Sequence, residues 1–146
     1  MSRAFVKDDS DGPEPILERP AADGPNYVTP EGLERLQGLL AAAEAAADER
    51  EMRYYRDRIN TAIVVDPKSQ TKPVVAFGAG IVAHDSAGVE LRVRIVGADE
   101  ADPVRGSISF ESPIARALIG HCAGERVLVQ RPAGPIEYTI DKIFYE

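Results

Sequence analysis

The apolar positions change period twice along the chain. From residue 29 onward they follow a helix. Leu33, Leu36, Leu40, Ala43 and Ala47 recur at spacings of three, four, three and four, an a/d seam. Extending that seam calls for apolar residues at 50, 54 and 57, where the chain has Arg50, Tyr54 and Asp57. A new seam starts at Met52, Tyr55, Ile59 and Ala62. The phase break near 47–49 favours a short antiparallel helical hairpin, residues 31–47 and 49–64, over one long helix used in a dimer. Each arm would be about 24 Å long at 1.5 Å per residue. From 74 to 145 the period is two. Val89, Leu91, Val93 and Ile95 alternate with Glu90, Arg92, Arg94 and Val96, as in a strand with one buried face.

Local signals place the ends. Thr29-Pro30 and Ser112-Pro113 each pair a capping hydroxyl with a proline at the first helical position. They start the first helix and a short helix over 113–119. Asp48 followed by Glu51 has the form of a capping box for the second arm. Asp66-Pro67 ends the helical element, because a residue before proline avoids helical dihedrals. Residues 67–73 read as a linker. Strands are expected over 74–83, 89–96, 107–111, 126–131 and 136–144. Gly78 and Gly80 mark a bulge or a close backbone approach in the first of them. The turn Asp85-Ser86-Ala87-Gly88 joins the first two as a hairpin. The sum is an α+β chain: a helical hairpin over 27–66, then an antiparallel sheet with one helix over 74–146.

Residues 1–26 fit neither period. They hold Asp8, Asp9, Asp11, Pro13, Pro15, Pro20 and Pro25, and read as a disordered acidic tail. Over the whole chain, 24 acidic side chains against 17 basic give a net charge of −7. That balance argues against a generic electrostatic grip on nucleic acid. A single cysteine excludes an internal disulfide framework. No apolar run approaches a membrane helix, and there is no apolar signal-peptide core, so a cytoplasmic protein with no membrane partner is expected.

Little catalytic chemistry is visible. His84, His121 and Cys122 are the only soft metal ligands, without the spacing of a zinc site. His121-Cys122 are sequence neighbours, which in an extended or turn segment point apart rather than pair as nucleophile and base. No catalytic residue and no resident metal or cofactor are assigned. The acids Asp48, Glu49 and Glu51 at the hairpin tip admit two readings: oxygen ligands for a magnesium ion shared with a partner, or the capping box. Arg50, Arg53 and Arg56 lie among Glu49, Glu51 and Asp57 and read as a solvated, salt-bridged face.

The second half resembles the C-terminal domain of the bacterial transcription elongation factors GreA and GreB. The matching text is Phe77-Gly78-Ala79, Arg94-Ile95-Val96-Gly97 with Asp99-Glu100, Ile108-Ser109, the run Ser112-Pro113-Ile114-Ala115-Arg116-Ala117-Leu118-Ile119-Gly120, and Pro132-Ala133-Gly134. The opening Val28-Thr29-Pro30-Glu31-Gly32 resembles the start of the Gre coiled coil. The resemblance implies an FK506-binding-protein-like C-terminal domain and a partner, core RNA polymerase, met at the rim of its secondary channel. It puts Ser112, Pro113, Ile114 and Ala115 in the partner-binding segment, and implies contact with transcription-complex nucleic acid only through the polymerase. It also implies acids at a coiled-coil tip that help hold the polymerase's magnesium and stimulate transcript cleavage. Gre arms are about twice as long as those derived above, so a stub of about 24 Å should fall short of that magnesium. A truncated coiled coil is also similar to Rnk, called a regulator of nucleoside diphosphate kinase. The expectation is a polymerase-binding regulator, not itself an enzyme, with weak or no cleavage stimulation. The alternatives are an active cleavage factor and a regulator of another cytosolic protein.

Overall fold

The computed structural model describes residues 24–69 and 73–145. Strand β1 (Asn26–Val28) leads into helix α1 (Pro30–Ala45), which is followed by helix α2 (Glu49–Asn60) and strand β2 (Ala62–Val64). Both helices start where the caps direct. Thr29 Oγ1 accepts from the Gly32 N–H at 3.0 Å, and Asp48 Oδ1 from the Glu51 N–H at 3.1 Å. The chain turns between them at residues 46–48. Ala47 sits in the left-handed region at φ 54°, and the Asp48 N–H donates to the Ala43 carbonyl at 3.0 Å. α2 runs back along α1, and β2 then lies beside β1 in parallel register, Asn26 opposite Ala62 and Val28 opposite Val64. The chain therefore leaves and re-enters the body of the protein at one place.

Several boundaries differ from the sequence reading. Asn26, expected at the end of the tail, opens β1 and is buried. Residues 1–23 of that tail and 70–72 of the linker lie outside the described residues, while Pro67–Ser69 forms a short 3-10 turn. Residues 62–64, expected as the end of the second arm, are a strand, because β1 supplies hydrogen-bonding partners there. Ala47, expected in the seam, is in the turn. In α2 the buried residue is Arg58, whereas its neighbour Ile59 is half-buried.

The rest of the chain forms a five-stranded sheet with strands β3 (Ala79–Asp85), β4 (Glu90–Val96), β5 (Ser107–Ser109), β6 (Arg126–Val129) and β7 (Ile136–Tyr145) in the order β5-β4-β3-β7-β6. The sheet is mixed, which corrects the antiparallel expectation: β5 pairs with β4 in parallel. The connection over 97–106 carries the chain back along β4 before β5 begins, and a parallel neighbour needs such a return. The glycine signal in β3 is a close approach. A Cβ on Gly80 would meet the Phe144 ring at 2.4 Å, while the register shift falls between Val82 and Ala83. Helix α3 (Pro113–Leu118) puts Ala115 and Leu118 into the core with Ile81, Ile95, Val129 and Ile140. Fold class is α+β. Among the described residues no helix is long and apolar enough to cross a membrane.

Candidate functional site

The corner before α3 is built by its own sequence. Ser112 has extended dihedrals, and its hydroxyl accepts from the Ala115 N–H at 3.3 Å. Pro113 takes the first helical position, where a missing N–H costs nothing, and is exposed. Ile114 is half-buried and packs against the core at its edge. These three residues form the helix-entry corner, and a surface already ordered by the fold loses little entropy on contact. Ala115 does not belong to it. It is fully buried, because the helical period that turns Pro113 outward turns Ala115 and Leu118 inward. Ala115, expected in the partner-binding segment, thus has its side chain in the core.

The tip acids sit on the first turn of α2. Asp48 and Glu49 are exposed and Glu51 is half-buried. Asp48 is engaged as the helix cap. The Asp48 N–H donates to the Ala43 carbonyl at 3.0 Å. Among the described residues no three or more His, Cys, Asp or Glu side chains are grouped to hold a metal ion. Behind the tip, Arg56 forms an exposed ion pair with Glu44 at 3.3 Å.

A third cluster follows from no periodicity, although Thr29, Gly32, Gly97, Asp99 and Glu100 all lie in the text that resembles GreA and GreB. The loop after β4 places two adjacent carboxylates against the root of the helices. Asp99 accepts from Arg58 Nε at 2.6 Å and from the Tyr54 hydroxyl. Both side chains of the Arg58–Asp99 pair are over nine-tenths buried. Arg58 is held further by Asn26, whose Oδ1 accepts from Nη2 at 2.6 Å and whose Nδ2 donates to the Arg58 carbonyl at 2.8 Å. Glu100 serves α1. Its Oε2 accepts from the Thr29 and Gly97 N–H groups at 3.0 and 3.1 Å, and its Oε1 from the Thr29 hydroxyl. The fit requires two bare α-carbons. A Cβ on Gly32 would stand 2.2 Å from Glu100 Cδ, and one on Gly97 2.5 Å from the Tyr27 carbonyl oxygen. Beside them the Tyr27 ring packs on Phe77 and Phe110 at centroid distances of 5.7 and 5.3 Å.

His121 and Cys122 are organised by Glu125 rather than by each other. One carboxylate oxygen lies 2.8 Å from His121 Nδ1, and the other accepts from the Cys122 N–H at 2.8 Å. The His121 contact and then the Cys122 N–H hold the Glu125 carboxyl below its ordinary range. Burial and then Glu125 push the Cys122 thiol up. A raised thiol holds less thiolate near neutral pH.

A family model described as "Transcription elongation factor, GreA/GreB, C-term" matches residues 70–145, just over half of the chain. The chain belongs to the GreA/GreB family. It is 43% identical over 99 residues to the transcription elongation factor GreA of Nautilia profundicola, covering 67% of this chain and 61% of that protein. It is 39% identical over 98 residues to GreB of Haemophilus ducreyi, covering 67% and 60%. The chain thus spans about six-tenths of the length of these curated relatives. A solved GreA/GreB factor of Nitrosomonas europaea superposes with a TM-score of 0.45 at 22% identity, over 82% of this chain and 99% of that one. The GreA/GreB match contains both the corner at Ser112–Pro113–Ile114 and the carboxylate loop at Asp99–Glu100. The helices α1 and α2 precede it.

Proposed function

We propose that this GreA/GreB family member regulates transcription elongation by binding core RNA polymerase at the rim of the secondary channel, with Ser112, Pro113 and Ile114 as the contact corner. The α1–α2 arm stands over the channel entrance and obstructs it, or competes with longer factors for the same place. The protein acts on the polymerase and is not an enzyme in its own right.

The observation that carries this reading is the length of the arm. α1 has 16 residues and α2 has 12, which at 1.5 Å per residue is about 24 and 18 Å. Such an arm falls short of the polymerase magnesium when the C-terminal domain docks in the family manner. The tip supports the same conclusion, since Asp48 is spent on capping α2. Stimulation of transcript cleavage is therefore weak or absent in this reading.

The test uses Pro113, because it is exposed and a carboxylate at the first position of a helix suits the helix dipole. Wild-type protein should be retained by purified core polymerase at micromolar concentration. Pro113→Glu should fold normally and bind at least about tenfold more weakly. A backtracked elongation complex should show no faster cleavage when the protein is added. Failure of wild-type protein to bind core polymerase would remove the proposal, and accelerated cleavage would remove its account of the arm.

A further inference from the structure

We propose that Asp99 and Glu100 are positioning residues that set the direction of the α1–α2 arm, separately from the corner that grips the polymerase. This role rests on reading the arm as the part that faces the channel. Two neighbouring side chains of one loop each hold a different helix: Asp99 takes α2 through Tyr54 and Arg58, and Glu100 takes the first turn of α1 through Thr29. One such contact would tether the arm and leave it free to swing. Two contacts from a single short loop, to two helices that pack on each other, fix its direction. Asn26 closes the arrangement by linking β1 to Arg58.

The chemistry calls for carboxylates. Three donors converge on the two oxygens of Glu100, from the Thr29 N–H, the Thr29 hydroxyl and the Gly97 N–H. A glutamine there would offer one acceptor oxygen and aim its own N–H groups at donors. The Arg58 guanidinium is buried, so it needs an ionised partner and finds it in Asp99. The Tyr27 ring gives a third anchor. It leans on Phe110, two residues before Ser112, and so ties the root of the arm to the rear of the corner. The arm and the corner are thus carried on one rigid frame while touching different groups.

The test measures direction in the isolated full chain and consequence on the polymerase. In a Cys122→Ser background, spin labels at Arg50→Cys on the arm and Glu137→Cys on β7, both exposed positions, should give one narrow distance distribution. Asp99→Asn with Glu100→Gln should broaden it, and Gly38→Ala, on α1 with nothing within 4 Å of its would-be Cβ, should not. If the double variant does not fold, Tyr54→Phe removes one bond to Asp99 with the ring retained, and should broaden the distribution less. On core polymerase the Asp99/Glu100 variant should keep its affinity within about twofold and lose its effect on elongation at saturating protein. An unchanged distance distribution overturns the proposal, and so does an unchanged elongation effect, or one lost only in step with affinity. If the wild-type chain does not bind polymerase, the functional reading falls, and the distance measurement still decides whether the carboxylates hold the arm.

Discussion

Replacing Gly32 with alanine sets a local preference against a tertiary contact. In an exposed helix interior, glycine to alanine gains about 1 kcal/mol of helix propensity. At Gly32 the new methyl would lie 2.2, 2.4 and 2.6 Å from Glu100 Cδ, Oε2 and Cγ. The two cannot coexist, so the Glu100 side chain must swing away. The Thr29 hydroxyl can turn about its C–O bond and is left out of the sum. The Thr29 and Gly97 N–H groups cannot turn, and Thr29 is only 2% exposed. Two buried donors left without partners cost about 1–3 kcal/mol each. Against at most about 1 kcal/mol of propensity, the net loss is about 3 kcal/mol. Gly38 provides the control. It lies on the same helix with nothing within 4 Å of its would-be Cβ, so Gly38→Ala should be more stable than wild type by up to about 1 kcal/mol. Urea unfolding followed by circular dichroism measures both. The same chemical change on one helix should move the midpoint in opposite directions, with an unchanged slope. A Gly32→Ala protein as stable as Gly38→Ala would refute the clamp that Glu100 makes on Thr29 and Gly97.

Other expectations follow from single residues. Ala47 holds a left-handed conformation without being glycine, so Ala47→Gly should stabilise the protein by about 1 kcal/mol in the same unfolding assay. The Cys122 thiol is pushed above its ordinary 9.0 by burial and then by Glu125; alkylation near neutral pH should be slower than for a free cysteine and faster in Glu125→Gln. The His121 contact, then the Cys122 N–H, lower the Glu125 carboxyl from its ordinary 4.5. A lowered folded pKa adds stability that is full above 4.5 and is lost as pH falls through the folded value. The stability difference between wild type and Glu125→Gln at neutral pH should therefore disappear in strong acid, as urea titrations at the two pH values would show.

The parts of the fold visible in the sequence are those whose cause is local. The caps Thr29 and Ser112 sit beside their prolines, and the alternation in β4 needs no partner to be seen. The corner was visible for the same reason, and the burial of Ala115 could have been read from its spacing to Leu118. The turn between α1 and α2 announced itself only as a phase break, because Ala47 adopts a conformation usually signalled by glycine. The clamp was invisible because its partners are remote. Arg58 finds Asp99 41 residues away, and Thr29 finds Glu100 71 residues away. A charged residue buried by such a partner overrides the apolar period, which had pointed to Ile59. The parallel pairing of β5 is not legible in the sequence because it depends on the path of the 97–106 loop, which has no period of its own.

The side-by-side entry and exit of the helical segment, β1 and β2 running in the same direction, separates its length from its mounting. Residues added to or removed from both helices in matched turns change the protrusion by about 5.4 Å per turn and leave the foot of the projection as it was. Long and stunted versions can thus share one socket, and the depth a member probes becomes a quantity evolution or an engineer can dial by insertion alone.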